Sequence, residues 1–414
     1  MTHTKNIDVI IAGAGAAGVF AAIRIKELNP SISVVILEKS ARILDKVRIS
    51  GGGRCNITNA ETNLERFAEA YPRGKYFMRK SLYKFGPADI LNWFKINGLE
   101  THTEKDGRIF PESNTSASVI HCFTEKIHQF KIDIELKNGL EKIIRNEELF
   151  QVETPNNTYL CKALLLCPGG NAIESFRNIL NPFGVQFEDP LPSLFTFNTL
   201  DKSFANLMGL SAEVSLNIAG TKFQESGPLL ITHWGYSGPV VLRCSAFSAR
   251  ELAKKNYNFS IRINWMPAST QDELRSNFMH FKSHSGKRML RNSSPEGISS
   301  RLWEALLLRA GCNPDQTWNE INQKSINKLV ETLTADTWEI RGKTTFKEEF
   351  VTCGGIKLND LIPENYMLKK CPGLFAAGEI IDVDGITGGF NFQNAWTGAD
   401  LAAKGIINYL NQSG

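Results

Sequence analysis

Apolar residues fall along this chain in short runs whose spacing changes from one region to the next. Ile7–Ala12 is apolar apart from Asp8, which suits a buried strand. Ala14–Leu28 carries Ala and Ile at helical spacing, and Asn29-Pro30 stops it. Val34-Val35-Ile36-Leu37 is a second buried run that ends at Glu38. The opening segment therefore predicts β-α-β.

A glycine-rich loop, Ser50-Gly51-Gly52-Gly53-Arg54, leads into a polar, helical stretch that reaches about Gly98. Residues 131–166 predict short strands at Ile132–Leu136, Phe150–Glu153 and Ala163–Leu166, with turn signals at Asn138-Gly139 and Asn156-Asn157. Composition shifts at Pro190-Leu191-Pro192. Beyond it, residues 193–265 read as strands and residues 270–335 as basic helices. Glycine-rich character returns after Phe346, and Asn391–Leu410 suits a helix entered from a glycine turn. The expected organisation is a first domain over 1–190, an insertion over 191–346 and a return segment over 347–414. No internal repeat is present.

Gly13-x-Gly15-x-x-Gly18 sits where the first strand meets the first helix. Gly13 would allow the tight turn, Gly15 the approach of a pyrophosphate, and Gly18 close helix–strand packing. The helix N-terminus offers free N–H groups and a positive dipole end. Glu38 lies 20 residues beyond Gly18, where a carboxylate can hold ribose hydroxyls. The fingerprint alone does not separate FAD from NAD. No second GxGxxG occurs, so the one dinucleotide site is the resident one. The far end of the chain favours FAD. Leu374–Ala377 reads as a last strand leading to Gly378-Glu379, followed by Asp382 and by Gly388-Gly389-Phe390-Asn391 at the start of the last helix. That helix N-terminus suits the electron-rich edge of a reduced flavin.

Length and composition narrow the class. The 414 residues allow two or three domains; 42% hydrophobic and 22% charged residues exclude a disordered or low-complexity chain. Eight cysteines, at 55, 122, 161, 167, 244, 312, 353 and 371, include no C-x-x-C pair and no zinc-ligand spacing, so no metal is expected and most are read as packing thiols. No long apolar run and no signal peptide are evident, so a cytoplasmic, non-membrane protein is expected. The net charge of +4 is uneven. Residues 71–84 hold Arg73, Lys75, Arg79, Lys80 and Lys84 with no acid. Residues 274–310 hold Arg275, Lys282, Lys287, Arg288, Arg291, Arg301 and Arg309 against Glu296 and Glu304. Both stretches are candidate RNA contacts, although such runs are commonly solvated faces.

Three segments carry a family resemblance. Ile49-Ser50-Gly51-Gly52-Gly53-Arg54-Cys55-Asn56-Ile57-Thr58-Asn59 resembles the GGGRCNxTN signature of the BaiN/YhiN-type bacterial flavoproteins, also called aminoacetone-oxidase-family FAD-binding proteins. Thr232-His233-Trp234-Gly235-Tyr236-Ser237-Gly238-Pro239 is similar to their T-H-x-G-x-S-G-P motif, and residues 378–393 to their GE-x-x-D-x-x-G-x-x-GG-[YF]-N-x-Q ending. The match runs in order along the whole chain. The resemblance implies an α/β fold: a glutathione-reductase-like FAD-binding Rossmann domain with an inserted β-barrel-like plus helical domain. It also implies FAD, with NAD(P)H as transient reductant. Family members have been linked to reduction of conjugated C=C bonds in steroid-type substrates and in a uracil ring of ribosomal RNA, and others to amine oxidation. One departure is Cys167-Pro168-Gly169-Gly170-Asn171, where the family usually has A-T-G-G and a longer loop.

The FAD-binding candidates are Gly13, Gly15, Ala16, Gly18, Glu38, Lys39, Arg48, Gly51, Gly52, Gly53, Arg54, Cys55, Asn56, Leu140, Gly170, Gly378, Glu379, Asp382, Gly388, Gly389, Phe390 and Asn391. Hydride chemistry belongs to the flavin, so the protein need supply only position and a proton. Cys55 and His233 are the candidate catalytic residues, Cys353 is a candidate by position, and Trp234 and Trp396 are candidate stacking rings. The expected activity is NAD(P)H-driven reduction of a conjugated C=C, on a small molecule or on ribosomal RNA. The alternatives are an O2-dependent amine oxidase and a non-catalytic flavin-bearing RNA- or ribosome-binding factor. Oligomeric state is not legible from the chain.

Overall fold

A computed structural model describes residues 4–344 and 351–413. The described residues form two compact units, one within Met1–Pro192 and Lys347–Gly414, the other within Ser193–Phe346. Each has its own apolar core.

The first unit is built on β1 (Thr4–Ala12), α1 (Ala16–Leu28) and β2 (Val34–Leu37). β1 and β2 pair in parallel, Val9 with Val34 through Ala12 with Leu37. On its other side β1 pairs in parallel with Thr158–Leu166, and β2 pairs in parallel with Asp133–Glu135. All four residues of β2 and the last four of β1 are buried, as a sheet covered on both faces requires. Along the far edge of Thr158–Leu166, residues 158–161 pair antiparallel with 150–153. Residues 164–166 then pair in parallel with Leu374–Ala376. The return segment thus completes the sheet that the first segment begins.

α1 is short of polar side chains, with eight of its residues buried, because it is wedged between the sheet and the Phe390–Ser413 helix. Phe20 sets its ring edge against Trp93 and Trp396, 5.0 and 5.7 Å between centroids, and Phe123 closes the same aromatic cluster. Trp396 donates to Ile57 O at 3.0 Å and is fully buried, so it is a core ring and not a stacking platform for a ligand.

The strands expected in residues 131–166 are present, together with one more, Lys142–Asn146, which pairs antiparallel with Leu149–Glu153. Its Ile143-Ile144 pair hides the alternation that would mark an edge strand. The polar stretch before Gly98 folds as helices Leu64–Glu69, Lys75–Leu82 and Pro87–Ile96.

The second unit is an antiparallel sheet with helices. Strands run in the order 336–341, 258–264, 211–218, 224–231, 235–237, 196–198, 343–344. Gly342 N donates to Tyr257 O at 2.9 Å and Gly342 O accepts from Asn198 N at 3.2 Å, so the two ends of the sheet meet at one residue and it curls on itself. Helices Pro239–Lys254, Gln271–His284, Ser300–Arg309 and Gln323–Ala335 complete the unit. Asp336, buried, accepts from Trp265 (3.1 Å), Trp338 (2.7 Å) and Arg309 (2.5 Å). Arg309 also stacks on Trp338 at 3.7 Å.

Candidate functional site

The parallel strands of the first unit end level with one another. Glu38 N donates to Glu135 O (2.9 Å), Gly13 N to Leu37 O (2.8 Å), Cys167 N to Ala12 O (2.7 Å) and Ala377 N to Leu166 O (3.0 Å). The residues that follow the strands are therefore aligned along one rim, where open parallel sheets bind ligands.

At that rim the glycines divide by what surrounds them. Gly13 has φ +109°, and a Cβ there would sit 2.2 Å from Cys167 O. A Cβ on Gly18 would sit 1.9 Å from Gly13 O. Both are therefore required by the fold. A Cβ on Gly15 would meet nothing within 4 Å. The helix that begins at Ala16 has no side-chain cap at Gly15 and no acid in its first turn. Its first N–H groups are thus left for an anion from outside the helix.

Glu38 stands beside this turn. Its Oε2 accepts from Ala14 N at 2.7 Å and its Oε1 from Ser40 N at 2.8 Å. Each carboxylate oxygen keeps acceptor capacity for a ribose hydroxyl. Lys39 is exposed, and Gly139 passes so close that a Cβ on it would lie 2.7 Å from Lys39 Cβ. Leu140, the next residue, is half-buried against the core. Arg48 is exposed, and its carbonyl accepts from Ser116 Oγ at 2.7 Å.

The return segment reaches the same rim. A Cβ on Gly378 would lie 3.1 Å from Ala17 Cβ, so this turn packs on the first turn of α1. Glu379 accepts from Gly170 N at 3.2 Å and is ion-paired with Lys46, a residue that no sequence motif selects. Asp382 is buried just beyond.

A second junction joins the Ser50–Asn59 loop to the Gly388-Gly389 turn. Gly51, Gly52 and Gly53 have φ of 57, 67 and 83°, a run only glycine adopts without strain. With its amide oriented to satisfy both sides, Asn56 accepts from Gly389 N at 2.9 Å and donates to Thr58 O at 3.0 Å. Asn59 donates to Gly388 O at 3.1 Å. Thr58 donates to Gln393 at 2.7 Å. Asn391 closes its own turn by a two-way amide contact with Gly385, at 2.8 and 2.9 Å. Phe390 is buried, its carbonyl accepting from Tyr71 Oη at 2.8 Å. The last helix, like α1, carries no acid in its first turn.

Several expectations are revised here. Cys55 has no exposed surface, and burial pushes its thiol up to about 12. A group enclosed by protein on every side reaches neither cofactor nor substrate, so Cys55 packs the loop and leaves both candidate sets. Arg54 spends its charge on Glu104 at 2.7 Å and stacks on Phe110 at 3.9 Å, which makes it a support of the loop. Asn56 and Asn391 likewise spend their amides on backbone, so they position the turns. Cys353 is buried in the strand Thr352–Ile356. Among the described residues no group of three or more His, Cys, Asp or Glu is arranged to hold a metal. No described helix is long and apolar enough to cross a membrane.

The basic stretches are also partly absorbed by the fold. Arg73 is buried and makes a two-pronged pair with Asp384, Nε to Oδ1 at 2.6 Å. In the second stretch Arg275 pairs with Asp272 (2.6 Å), Arg291 with Glu304 and Asp315 (3.2 and 2.7 Å), and Arg309 with Asp201 and Asp336 (2.9 and 2.5 Å). Arg301 donates to Asn206 O at 2.6 Å.

In the second unit, His233 is exposed, with its ring 3.8 Å from that of Trp234. It lines a small pocket with Thr199, Asp201, Lys202, Thr232, Tyr236 and Trp338. The Tyr236 hydroxyl is buried with no partner among the described residues, and burial holds its phenol well above the usual range. Tyr236 lies in the Thr232–Pro239 motif but is not among the candidate site residues; its place three residues after His233 is the signal that points to it.

An open glycine turn, an uncapped helix and a ribose-type carboxylate at the rim of a parallel sheet define a dinucleotide-binding protein of the Rossmann class, with an inserted antiparallel sheet. A family model described as the HI0933-like protein Rossmann domain matches residues 7–405, and the chain belongs to that family. It is 27% identical to a ribosomal RNA dihydrouridine synthase of Haemophilus influenzae, covering 96% of this chain and 98% of that protein. It is 25% identical to a 3-dehydro-bile acid delta(4,6)-reductase of Clostridium scindens, covering 95% and 97%. In fold it is similar to a 3-ketosteroid delta1-dehydrogenase from Sterolibacterium denitrificans, with a TM-score of 0.53 at 12% identity over 98% and 100% of the two chains.

Proposed function

We propose that this protein uses FAD to pass hydride from NAD(P)H to a conjugated C=C bond, and that its substrate is a uracil base in ribosomal RNA. The observation that carries the reading is the end-to-end match to a ribosomal RNA dihydrouridine synthase, which leaves almost none of either chain unmatched. The bile acid reductase matches over nearly the same span, which supports a small enone as the second reading. Both substrates present the same problem: an activated double bond that takes hydride at one carbon and a proton at its neighbour.

The residues at the rim fit FAD. The free N–H groups after Gly15 would hold the pyrophosphate, and Glu38 would hold the adenosine ribose. Lys39 and Leu140 would border the adenosine. The cluster of Lys46, Glu379 and Gly170 would border the ribityl side, and the N-terminus of the last helix would favour the flavin edge that gains negative charge. Bound there, FAD supplies a two-electron carrier. The chain's own part is to position the substrate and deliver the proton, for which His233 remains the candidate donor. Eight buried cysteines, none in a disulfide among the described residues, suit a reducing compartment, which supports a cytoplasmic location.

The test is the visible spectrum of the FAD-loaded protein under argon, before and after NADH and then NADPH. Loss of the oxidised flavin bands is expected with one of them, and their return on adding uracil-containing RNA. Oxidised bands that persist with both nucleotides would overturn the reductase reading.

A further inference from the structure

The Lys75–Leu82 helix buries Phe77, Met78, Ser81 and Leu82 and turns its other side to solvent. That outer side is unusual for a surface helix. Tyr76 is 73% exposed and Tyr83, the residue that follows the helix, is 64% exposed. Their spacing of seven places both rings on one face, with Lys80 between them and Lys84 beyond. Arg79 holds its guanidinium 6.0 Å from the Tyr76 ring.

The acids nearby are already engaged. Glu65 accepts from Arg79 and from Tyr83 Oη, at 3.3 and 3.2 Å, and Glu69 pairs with Lys75 at 3.2 Å. Lys80 and Lys84 are exposed and meet no carboxylate among the described residues. The face therefore combines two aromatic rings with uncompensated positive charge. Lysine, by contrast, is depleted at protein–protein interfaces, so these two lysines favour a polyanion.

We propose that this face, Tyr76, Lys80, Tyr83 and Lys84, docks the single-stranded part of an RNA substrate. The inference rests on the RNA reading above. The rings would stack on bases, which tolerates any sequence, and the lysines would meet phosphates. The face is also tied to the segment that precedes the last helix. Just before the helix, Arg73 is held in its buried pair with Asp384. Gly74 lies against Val383, where a Cβ would come within 2.6 Å of Cγ2. Tyr71 donates to Phe390 O at 2.8 Å. RNA held here is thus anchored to the segment that leads into the last helix. The 274–310 stretch, whose arginines are largely paired within the fold, is the weaker surface.

The experiment measures binding of a fluorescein-labelled oligouridylate of roughly 20 nucleotides, longer than one single-strand site of roughly 4–16 nucleotides. Anisotropy is followed over a salt series for the FAD-loaded wild type, Tyr76→Ala/Tyr83→Ala and Lys80→Gln/Lys84→Gln. Retained FAD and an unchanged melting temperature establish that the exposed substitutions leave the fold intact. The tyrosine pair should weaken binding by roughly tenfold or more. The lysine pair should reduce the slope of log affinity against log salt by about 1.4, at about 0.7 for each phosphate that is no longer neutralised. Wild-type binding that both variants reproduce, with the same slope, would overturn this surface and leave the RNA reading standing. A wild type that does not bind the oligouridylate at low salt would overturn the RNA reading and this proposal together.

Discussion

Glu38 Oε2 accepts a hydrogen bond of 2.7 Å from the backbone N–H of Ala14, 24 residues earlier in the chain. This contact fixes the carboxylate beside the glycine turn before any ligand arrives. A pre-positioned acceptor avoids the entropy of ordering a free side chain on binding. Replacing Glu38 with Ala removes this contact, the one to Ser40 and the ribose acceptor together. FAD affinity should then fall by roughly ten- to a hundredfold, since a hydrogen bond to a charged group contributes about 1.5–3 kcal/mol. Glu38→Gln keeps one acceptor oxygen and should lose less. Titration of the apo-protein with FAD by flavin fluorescence measures both.

Gly13 and Gly15 should separate stability from cofactor binding. Gly13→Ala drives a Cβ into Cys167 O from a positive φ, so the apo-protein should lose at least about 2 kcal/mol. Gly15→Ala meets open space at φ −80°, so apo stability should stay within about 0.5 kcal/mol of wild type. Its FAD affinity should nonetheless drop by roughly one to two orders of magnitude, because the new methyl group occupies the side a pyrophosphate approaches. Thermal melts of the apo-proteins and FAD titrations give the two readouts. Equal FAD binding by Gly15→Ala and wild type would move the phosphate site elsewhere.

The buried thiols predict alkaline weakness. Burial raises Cys55, Cys161 and Cys244 to about 12 and Cys122 to about 11, from an ordinary value of 9.0. A folded-state value above the unfolded one means stability that is complete below about pH 9 and is lost as the pH rises towards the folded values. Each such thiol contributes a loss of about 1.4 kcal/mol per pH unit in that window. The melting temperature should therefore fall steeply between pH 9 and 11. An aromatic disulfide reagent at neutral pH should label none of the eight cysteines until the chain unfolds. Rapid labelling of Cys55 in the native protein would restore it as a reactive residue.

The Arg73–Asp384 pair braces the segment before the last helix. Arg73→Ala leaves a fully buried carboxylate without its guanidinium and should cost about 3–5 kcal/mol. An Arg73→Met/Asp384→Leu double variant should recover much of that loss. Urea denaturation of wild type, Arg73→Met, Asp384→Leu and the double variant measures the coupling. Additive losses would show that the two residues act separately.

The β-α-β opening is legible because its requirements are local. A turn that needs Gly13, a helix that needs no cap and a strand that ends in Glu38 are all written within about forty consecutive positions. The fates of Arg54, Asn56, Arg73 and the second basic stretch are not legible, for one shared reason. Arg73 meets a partner 311 residues away, and Asn56 meets Gly389. Charge and residue type mark these side chains as candidates for a ligand. Only the folded chain shows that protein groups have already engaged them. Cys55 misleads in the same way: a cysteine inside a cofactor motif looks chemical until its burial is known. Lys46 carries no local signal, since its partner Glu379 belongs to the return segment.

The most direct measurement digests ribosomal RNA to nucleosides after incubation with the FAD-loaded protein and NADH or NADPH, and weighs the uridine fraction by mass spectrometry. Appearance of a nucleoside two hydrogens heavier than uridine, dependent on both the protein and the reduced nucleotide, is the predicted result. Uridine that remains wholly unreduced in ribosomal RNA with either nucleotide would contradict the assignment of the uracil C=C as substrate.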